Sequence, residues 1–415
     1  MQIIKNSFIY LGSSIINKMI PFLLLPVMTK YLSPKEYGLL SIYMIMITFY
    51  NAFIGMNLHM NISKNFFKVS KEKMAVLIAN ILLILFFSFL FFLLLTITMG
   101  FIVDSVFSVP SIWIVTIPFI SMMMMVSNIN TTILRNEGRA YLFGVFEISN
   151  TAVNMAITIV FLVLLGYGWH AQPIGMLTSY TLFFIIGMYY MNKRGYIDWK
   201  IDSQKIKSIL GISLPLIPHV IGSAVIAMSD RVFIERMVGL DAVGIYSVGY
   251  MFGMVVILFT DAFIKAWSPW FYKNLANPTP EQKKKIVKYT YIYIFGVFCL
   301  AFAIAMVGKF ILPYFVDEKF YGATEYILWI SLGYAMFGVY QIFFPYLVHI
   351  SRTSFLAIST VTAALINLIL NYFLIEIHGA IGAAYATFAA FLTSALLVFL
   401  YQRKHYRMPW RFSVN

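Results

Sequence analysis

Apolar residues in this chain neither alternate nor form narrow stripes. They fill long blocks separated by short polar connections, over approximately 8–30, 37–60, 74–101, 111–134, 142–165, 173–191, 208–230, 242–265, 289–312, 324–348, 354–376 and 380–401. A helix rising about 1.5 Å per residue needs roughly 20 apolar residues to cross the hydrocarbon of a bilayer. Each block therefore predicts one spanning helix, about twelve in all. The longest polar connections are 192–207 and 273–288. The first falls near the midpoint and predicts two six-helix units, 1–200 and 201–415. Asn277–Pro278–Thr279–Pro280 breaks the second ahead of the basic stretch 281–288, read as a loop helix touching anionic headgroups.

The halves resemble one another. Tyr37–Gly38–Leu39–Leu40–Ser41 lies 206 residues before Val243–Gly244–Ile245–Tyr246–Ser247, each opening the second span of its half. Arg139, Asn154 and Phe161 lie 213 positions before Arg352, Asn367 and Leu374, and Pro173–Ile174–Gly175 lies 207 before Ala380–Ile381–Gly382. Six spans is an even number, so a duplicated unit keeps its orientation. The expected fold is an all-α polytopic membrane protein with a pseudo-two-fold axis along the membrane normal. Proteins built this way bind their cargo near midplane, between the repeats.

Composition agrees with the pattern. The 415 residues are 61% hydrophobic and 11% charged, where soluble domains carry roughly 25% charged residues. The +14 net charge is mainly a topology signal. With the N-terminus inside, 23 basic residues fall on the cytoplasmic side and six (Lys30, Lys35, Arg231, Arg236, Lys309, Lys319) on the other, with Lys18 inside a helix. That bias places both termini in the cytoplasm. Nucleic-acid binding is not expected, since no motif for it accompanies the charge. One cysteine, Cys299, excludes a disulfide framework or cysteine metal cluster. No P-loop, dinucleotide, metalloprotease or nucleophile-elbow signature is present. The chain is thus expected to be no enzyme and to need no cofactor or metal.

The opening stretch carries Asn17–Lys18, Pro21, Leu25–Pro26 and Thr29–Lys30–Tyr31–Leu32–Ser33–Pro34–Lys35–Glu36–Tyr37–Gly38. The second half adds Leu214–Pro215–Leu216–Ile217–Pro218, Ser229–Asp230–Arg231–Val232–Phe233–Ile234, Ala266–Trp267–Ser268–Pro269–Trp270–Phe271–Tyr272 and Gly379–Ala380–Ile381–Gly382–Ala383–Ala384. In order and spacing this resembles the polysaccharide-biosynthesis flippases, the Wzx-like O-antigen and teichoic-acid transporters. Their superfamily also holds the MATE multidrug antiporters and lipid II flippases. The resemblance implies a MATE-like fold in the bacterial cytoplasmic (inner) membrane. It also implies alternating-access transfer of an undecaprenyl-diphosphate-linked oligosaccharide to the outer leaflet, for O-antigen or lipopolysaccharide assembly. The implied partners are that glycolipid, membrane lipids, a coupling proton or sodium ion, and polysaccharide assembly proteins. A multidrug antiporter and a membrane-embedded glycosyltransferase or polymerase are the alternatives. Such antiporters carry an acid in the N-terminal bundle, whereas the first span here has a lysine and no acid. Polymerases need a substantial external loop, and none here exceeds about a dozen residues.

Polar residues inside spans are the candidate site. Lys18 sits near the middle of the first span, where an unpaired charge costs about 2.5–3.5 kcal/mol on insertion scales. That cost favours a cavity position facing an anionic diphosphate. Asp230–Arg231 cluster with Glu235–Arg236 at the external end of the seventh span, as an ion-pair network or with Arg231 at the mouth of the cavity. Asp261 and Lys265 are four apart, on one helix face, and are expected to pair. Glu147, Thr151, Asn154 and Thr158 form one polar stripe, as do Ser121, Asn128, Thr132 and Arg135. Asn367 and Asn371 fall opposite Asn154 and Thr158 under the 213-residue offset. His219 lines a face with Ser223 and Asp230, and His59 ends the second span. Cavity candidates are therefore Lys18, Arg231, Asn154, Asn367 and His219. Gating or coupling candidates are Asp261, Lys265, Glu147 and Asp230.

Overall fold

The computed structural model describes residues 2–98, 108–275, 278–350, 352 and 354–410. Within its helices, several side chains, those of Lys18 and His219 among them, lie outside the described residues. The helices are α1 Gln2–Tyr31, α2 Pro34–Gly55, α3 His59–Asn65, α4 Lys71–Thr98, α5 Thr116–Asn136, α6 Ala140–Ile159, α7 Ala171–Lys193 and α8 Ser203–Ser213. They continue with α9 Ile217–Met237, α10 Leu240–Gly253, α11 Val255–Leu275, α12 Pro280–Phe315, α13 Thr324–His349, α14 Ser354–His378 and α15 Ile381–His405. No strand occurs among the described residues. In lipid, a helix satisfies its own backbone hydrogen bonds, which is why this composition yields nothing else.

Ten helical stretches among the described residues are long and apolar enough to cross a membrane, and they coincide with ten of the twelve predicted spans. The other two predictions fall on α1 and on the stretch from α8 into α9. The chain is a multi-pass α-helical membrane protein. By its internal contacts it divides into two units, Met1–Ile221 and Gly222–Asn415.

In the first unit α1 packs on α6, α6 and α5 on α7, and α2, α3 and α4 on α5. In the second, α14 and α13 pack on α15, and α10, α11 and α12 on α13. Hydrogen bonds from Ser229 to Asn367 and from Asn371 to Ser229 tie α9 to α14, as α1 is tied to α6 in the first unit. The neighbour pattern thus recurs, α1 answering to α9, α4 to α12, and α5–α7 to α13–α15. Two glycines 207 positions apart hold matching crossings. A Cβ on Gly175 would stand 2.3 Å from Thr158 Oγ1, and one on Gly382 would stand 2.1 Å from Leu374 O. Small residues let membrane helices approach this closely.

Local details follow from the caps. Ser33 accepts from Glu36 N while Glu36 reaches back to Ser33 N, with Pro34 at the first helical position. The Ser33–Pro34–Lys35–Glu36 run is thus a capping box that starts α2. Thr279 and Gln282 do the same for α12. The basic stretch 281–288 is consequently the beginning of a continuous 36-residue helix and not a separate loop helix, since nothing between Lys288 and Tyr289 breaks it. His59 does not end α2. Met56 and Asn57, at φ 43° and 49°, turn the chain, and His59 opens the short α3.

Candidate functional site

In the first unit the polar stripe of α6 points into neighbours. Asn17 Nδ2 on α1 donates to Glu147 Oε2 at 3.0 Å, and Thr151 Oγ1 donates to Glu147 O at 3.1 Å. One turn on, Thr158 is fully buried and bonds both Asn154 Oδ1 (3.3 Å) and Gln172 Oε1 (3.0 Å). A bilayer offers no water to solvate a carboxylate. Glu147 therefore sits where an amide from the adjacent helix can reach it. On α5, Ser121 and Thr132 are buried and Arg135 is exposed in the last turn of the helix. Beside it, burial pushes the His59 imidazole below its usual pKa, and the charge of Arg135 adds to the effect.

In the second unit Asp230 and Arg231 lie inside a cage of tyrosines. Asp230 is 0% and Arg231 9% exposed. Arg231 Nη1 stands 3.3 Å from Asp230 Oδ1, and its Nε donates to Ser247 Oγ at 3.1 Å. The guanidinium lies 4.1 Å over the Tyr250 ring. Tyr246 OH donates to Asp230, and the Tyr250 and Tyr334 hydroxyls share a bond of 2.7 Å. Two desolvated charges are tolerable only when their remaining donors and acceptors are satisfied, and the tyrosines do that here. Next to the cage, Ser229 Oγ donates to Asn367 Oδ1 at 2.9 Å and Asn371 Nδ2 donates to the same oxygen at 3.1 Å. Asn367 Nδ2 and Asn371 Oδ1 are buried without a hydrogen-bond partner.

Farther along, Gln341 Nε2 on α13 donates to Asp261 Oδ1 at 2.9 Å, and Lys265 is exposed one turn beyond. The structure therefore brings Glu147 to Asn17, Asn154 to Thr158, Asp230 to Arg231, and Asn367 to Ser229. The side chains of Lys18 and His219 fall outside the described residues.

A third polar assembly has no counterpart in the sequence reading. The segment after α7 is strapped onto the first unit. Asn80, 1% exposed on α4, donates to Lys200 O at 2.8 Å and accepts from Asp202 N at 3.0 Å. Asp198 N adds a bond to Ala75 O at 3.3 Å. At the near end Glu137 takes the Tyr196 hydroxyl (2.5 Å) and pairs with Arg194 and Arg139. Burial, then the bond to Glu137, raises the Tyr196 phenol above its usual range. Asp202 finally caps α8, accepting from the Gln204 and Lys205 amides. Its pKa is lowered first by the Lys205 ammonium hydrogen bond. An amide in an apolar span must find partners, which is the one cue in the sequence that Asn80 mattered.

Helical spans in two units, each with buried polar groups, define a polytopic α-helical membrane protein. A family model described as "Polysaccharide biosynthesis protein" matches residues 3–275, about two thirds of the chain. The chain belongs to that family. A second model, MatE, matches residues 215–373. The chain is similar to a Haemophilus influenzae protein described as Lsg locus putative protein 1, 22% identical over 374 residues, covering 88% of this chain and 90% of that one. Its fold is that of a MATE-family multidrug resistance transporter in an inward-facing conformation (TM-score 0.73, 15% identity, 93% and 94% covered). It also matches the lipid II flippase MurJ in an inward closed conformation (TM-score 0.75, 14% identity, 96% and 87% covered).

Proposed function

We propose that this protein is a flippase for an undecaprenyl-diphosphate-linked oligosaccharide, an O-antigen or related surface polysaccharide unit. It moves this cargo from the cytoplasmic to the outer leaflet of the bacterial inner membrane by alternating access. The observation that carries the reading is the match to the polysaccharide biosynthesis family over residues 3–275. The likeness to a lipid II flippase supports a lipid-linked cargo. The cationic first span adds to this, because Lys18 at mid-helix suits a diphosphate and not a cationic drug. Both termini lie in the cytoplasm, following the basic loops. Glu147, held by Asn17, and Asp261, held by Gln341, are candidate groups for coupling to a proton or sodium gradient, together with Asp230 and Lys265. Transport requires no bond-making by this chain, and assembly proteins that polymerise the delivered unit are its expected partners.

A multidrug antiporter is the second reading, favoured by the MatE match over residues 215–373. Depletion of the protein separates the two. Lipid extracts should then accumulate a diphosphate-linked oligosaccharide, accessible only from the cytoplasmic face of inverted vesicles. Drug hypersensitivity with normal surface glycan and no accumulated lipid would reject the flippase.

A further inference from the structure

An apolar groove of about 550 Å3 opens between α2, α4 and α8, lined by residues that include Phe53, Leu83, Phe87, Phe91, Leu210 and Leu214. A second hollow of about 530 Å3 shares Ile206, Leu210 and Leu214 with it and continues along α8 past Gly211 to Lys207 and Ser203. Ile206, Leu210 and Leu214 are four residues apart, so they form one ridge with a hollow on each side. Phe87 and Phe91 are 60% and 62% exposed and Leu214 48%. The aromatic shelf is therefore open, on a helix whose length and composition place it in the bilayer.

We propose that this groove seats the polyprenyl chain of the lipid-linked cargo, with its phosphate held at Lys207. The inference rests on the function proposed above. Three features select such an occupant. At membrane depth, only a hydrocarbon chain gains by covering the phenylalanines. The polar end carries a cation free to meet a phosphate: Lys205 is engaged by Asp202 at 2.5 Å, while Lys207 is exposed and has no acidic partner among the described ion pairs. Gly211, between Lys207 and Leu214, keeps the path open, for a Cβ there would meet no atom within 4 Å. The shelf is also held in place. Asn80 pins the segment leading into α8, and Ser213 at its far end accepts from Asn61 at 2.9 Å.

The test uses the full chain in nanodiscs of phosphatidylethanolamine and phosphatidylglycerol, with a benzophenone-bearing polyprenyl phosphate as photoprobe. Label should fall on peptides covering 83–92 and 203–214. Excess undecaprenyl phosphate should suppress it, and an equal excess of phosphatidylglycerol should not. Lys207→Glu and Gly211→Trp should each reduce labelling about fivefold or more, corresponding to ~1 kcal/mol for one lysine against an anionic lipid. Lys207→Arg should retain it, which controls for folding. Equal competition by phosphatidylglycerol would make the groove a bilayer-lipid site and overturn the proposal. So would label confined to other peptides, or undiminished label in Gly211→Trp. If both blocking variants still translocate cargo at the parental rate, the groove assignment fails while the flippase reading stands. A parent that binds no probe anywhere sinks the flippase reading too.

Discussion

Arg231→Met would leave the Asp230 carboxylate buried without its counter-ion. The pair is 3.3 Å apart inside the helix bundle, with Asp230 fully buried. The substitution also removes the bond to Ser247 and the stacking on Tyr250. Breaking one side of a buried ion pair costs ~3–5 kcal/mol, whereas replacing both partners by neutral groups is often close to neutral. Asp230 keeps its bonds from Tyr246 and from the backbone N–H of residue 231, so about 3 kcal/mol is expected. Asp230→Asn with Arg231→Met should recover at least ~2 kcal/mol of that loss, a coupling of the size that neighbours in one network show. The assay is unfolding of the purified protein in mixed micelles, followed by tryptophan fluorescence, for the parent, both singles and the double. A single variant within ~0.5 kcal/mol of the parent, or strict additivity in the double, would refute the buried-pair argument. The double variant also separates two roles for Arg231. A structural pair predicts that it supports glycan export once its stability is restored. A cargo-binding arginine predicts a stable protein that exports nothing.

Three further outcomes are expected. Lys18→Ala should sharply lower surface polysaccharide at unchanged protein level, and normal glycan in that strain would remove Lys18 from the cavity. Asn80→Ala deletes two hydrogen bonds to the backbone of the strap, worth about 1–3 kcal/mol locally. Limited proteolysis between 194 and 202 should therefore accelerate, and an unchanged cleavage rate would show that the strap is held elsewhere. Gly382→Leu must push α15 off the Leu374 carbonyl at ~1–3 kcal/mol for overpacking. It should lower the melting temperature while Gly296→Leu, where a Cβ meets nothing within 4 Å, leaves it unchanged; equal melting of the two would contradict the close crossing.

Much of the fold was legible because lipid simplifies the code: a span is a block of apolar residues of a given length, whatever its partners. The repeat was legible for a related reason, since Gly175 and Gly382 occupy matching crossings where only a hydrogen fits. Breaks within blocks were harder to see. Met254 divides the predicted 242–265 span into α10, ending at Gly253, and α11, and one glycine inside an apolar run does not by itself mark a break. Within the candidate site, Glu147, Thr151, Asn154 and Thr158 could be placed on one face by spacing alone. Their partners Asn17 and Gln172 could not, since those pairings depend on which helices become neighbours. The tyrosine cage was hidden by abundance: among 27 tyrosines, nothing local marks Tyr246, Tyr250 and Tyr334 as the three that solvate a buried ion pair. Asn80 was hidden differently, being one amide in an apolar run whose partners lie 120 and 122 residues away.

The proposed role is carriage of a lipid-linked glycan across a bilayer. Purified protein reconstituted into liposomes with a fluorescent undecaprenyl-diphosphate-linked oligosaccharide in both leaflets measures this directly. An impermeant quencher or glycosidase then reports the fraction exposed outside. Protein-dependent exchange that makes the inner-leaflet pool accessible, slowed by Lys18→Ala, is expected. Protection of half the lipid in parent proteoliposomes, under imposed proton and sodium gradients of either sign, would contradict it.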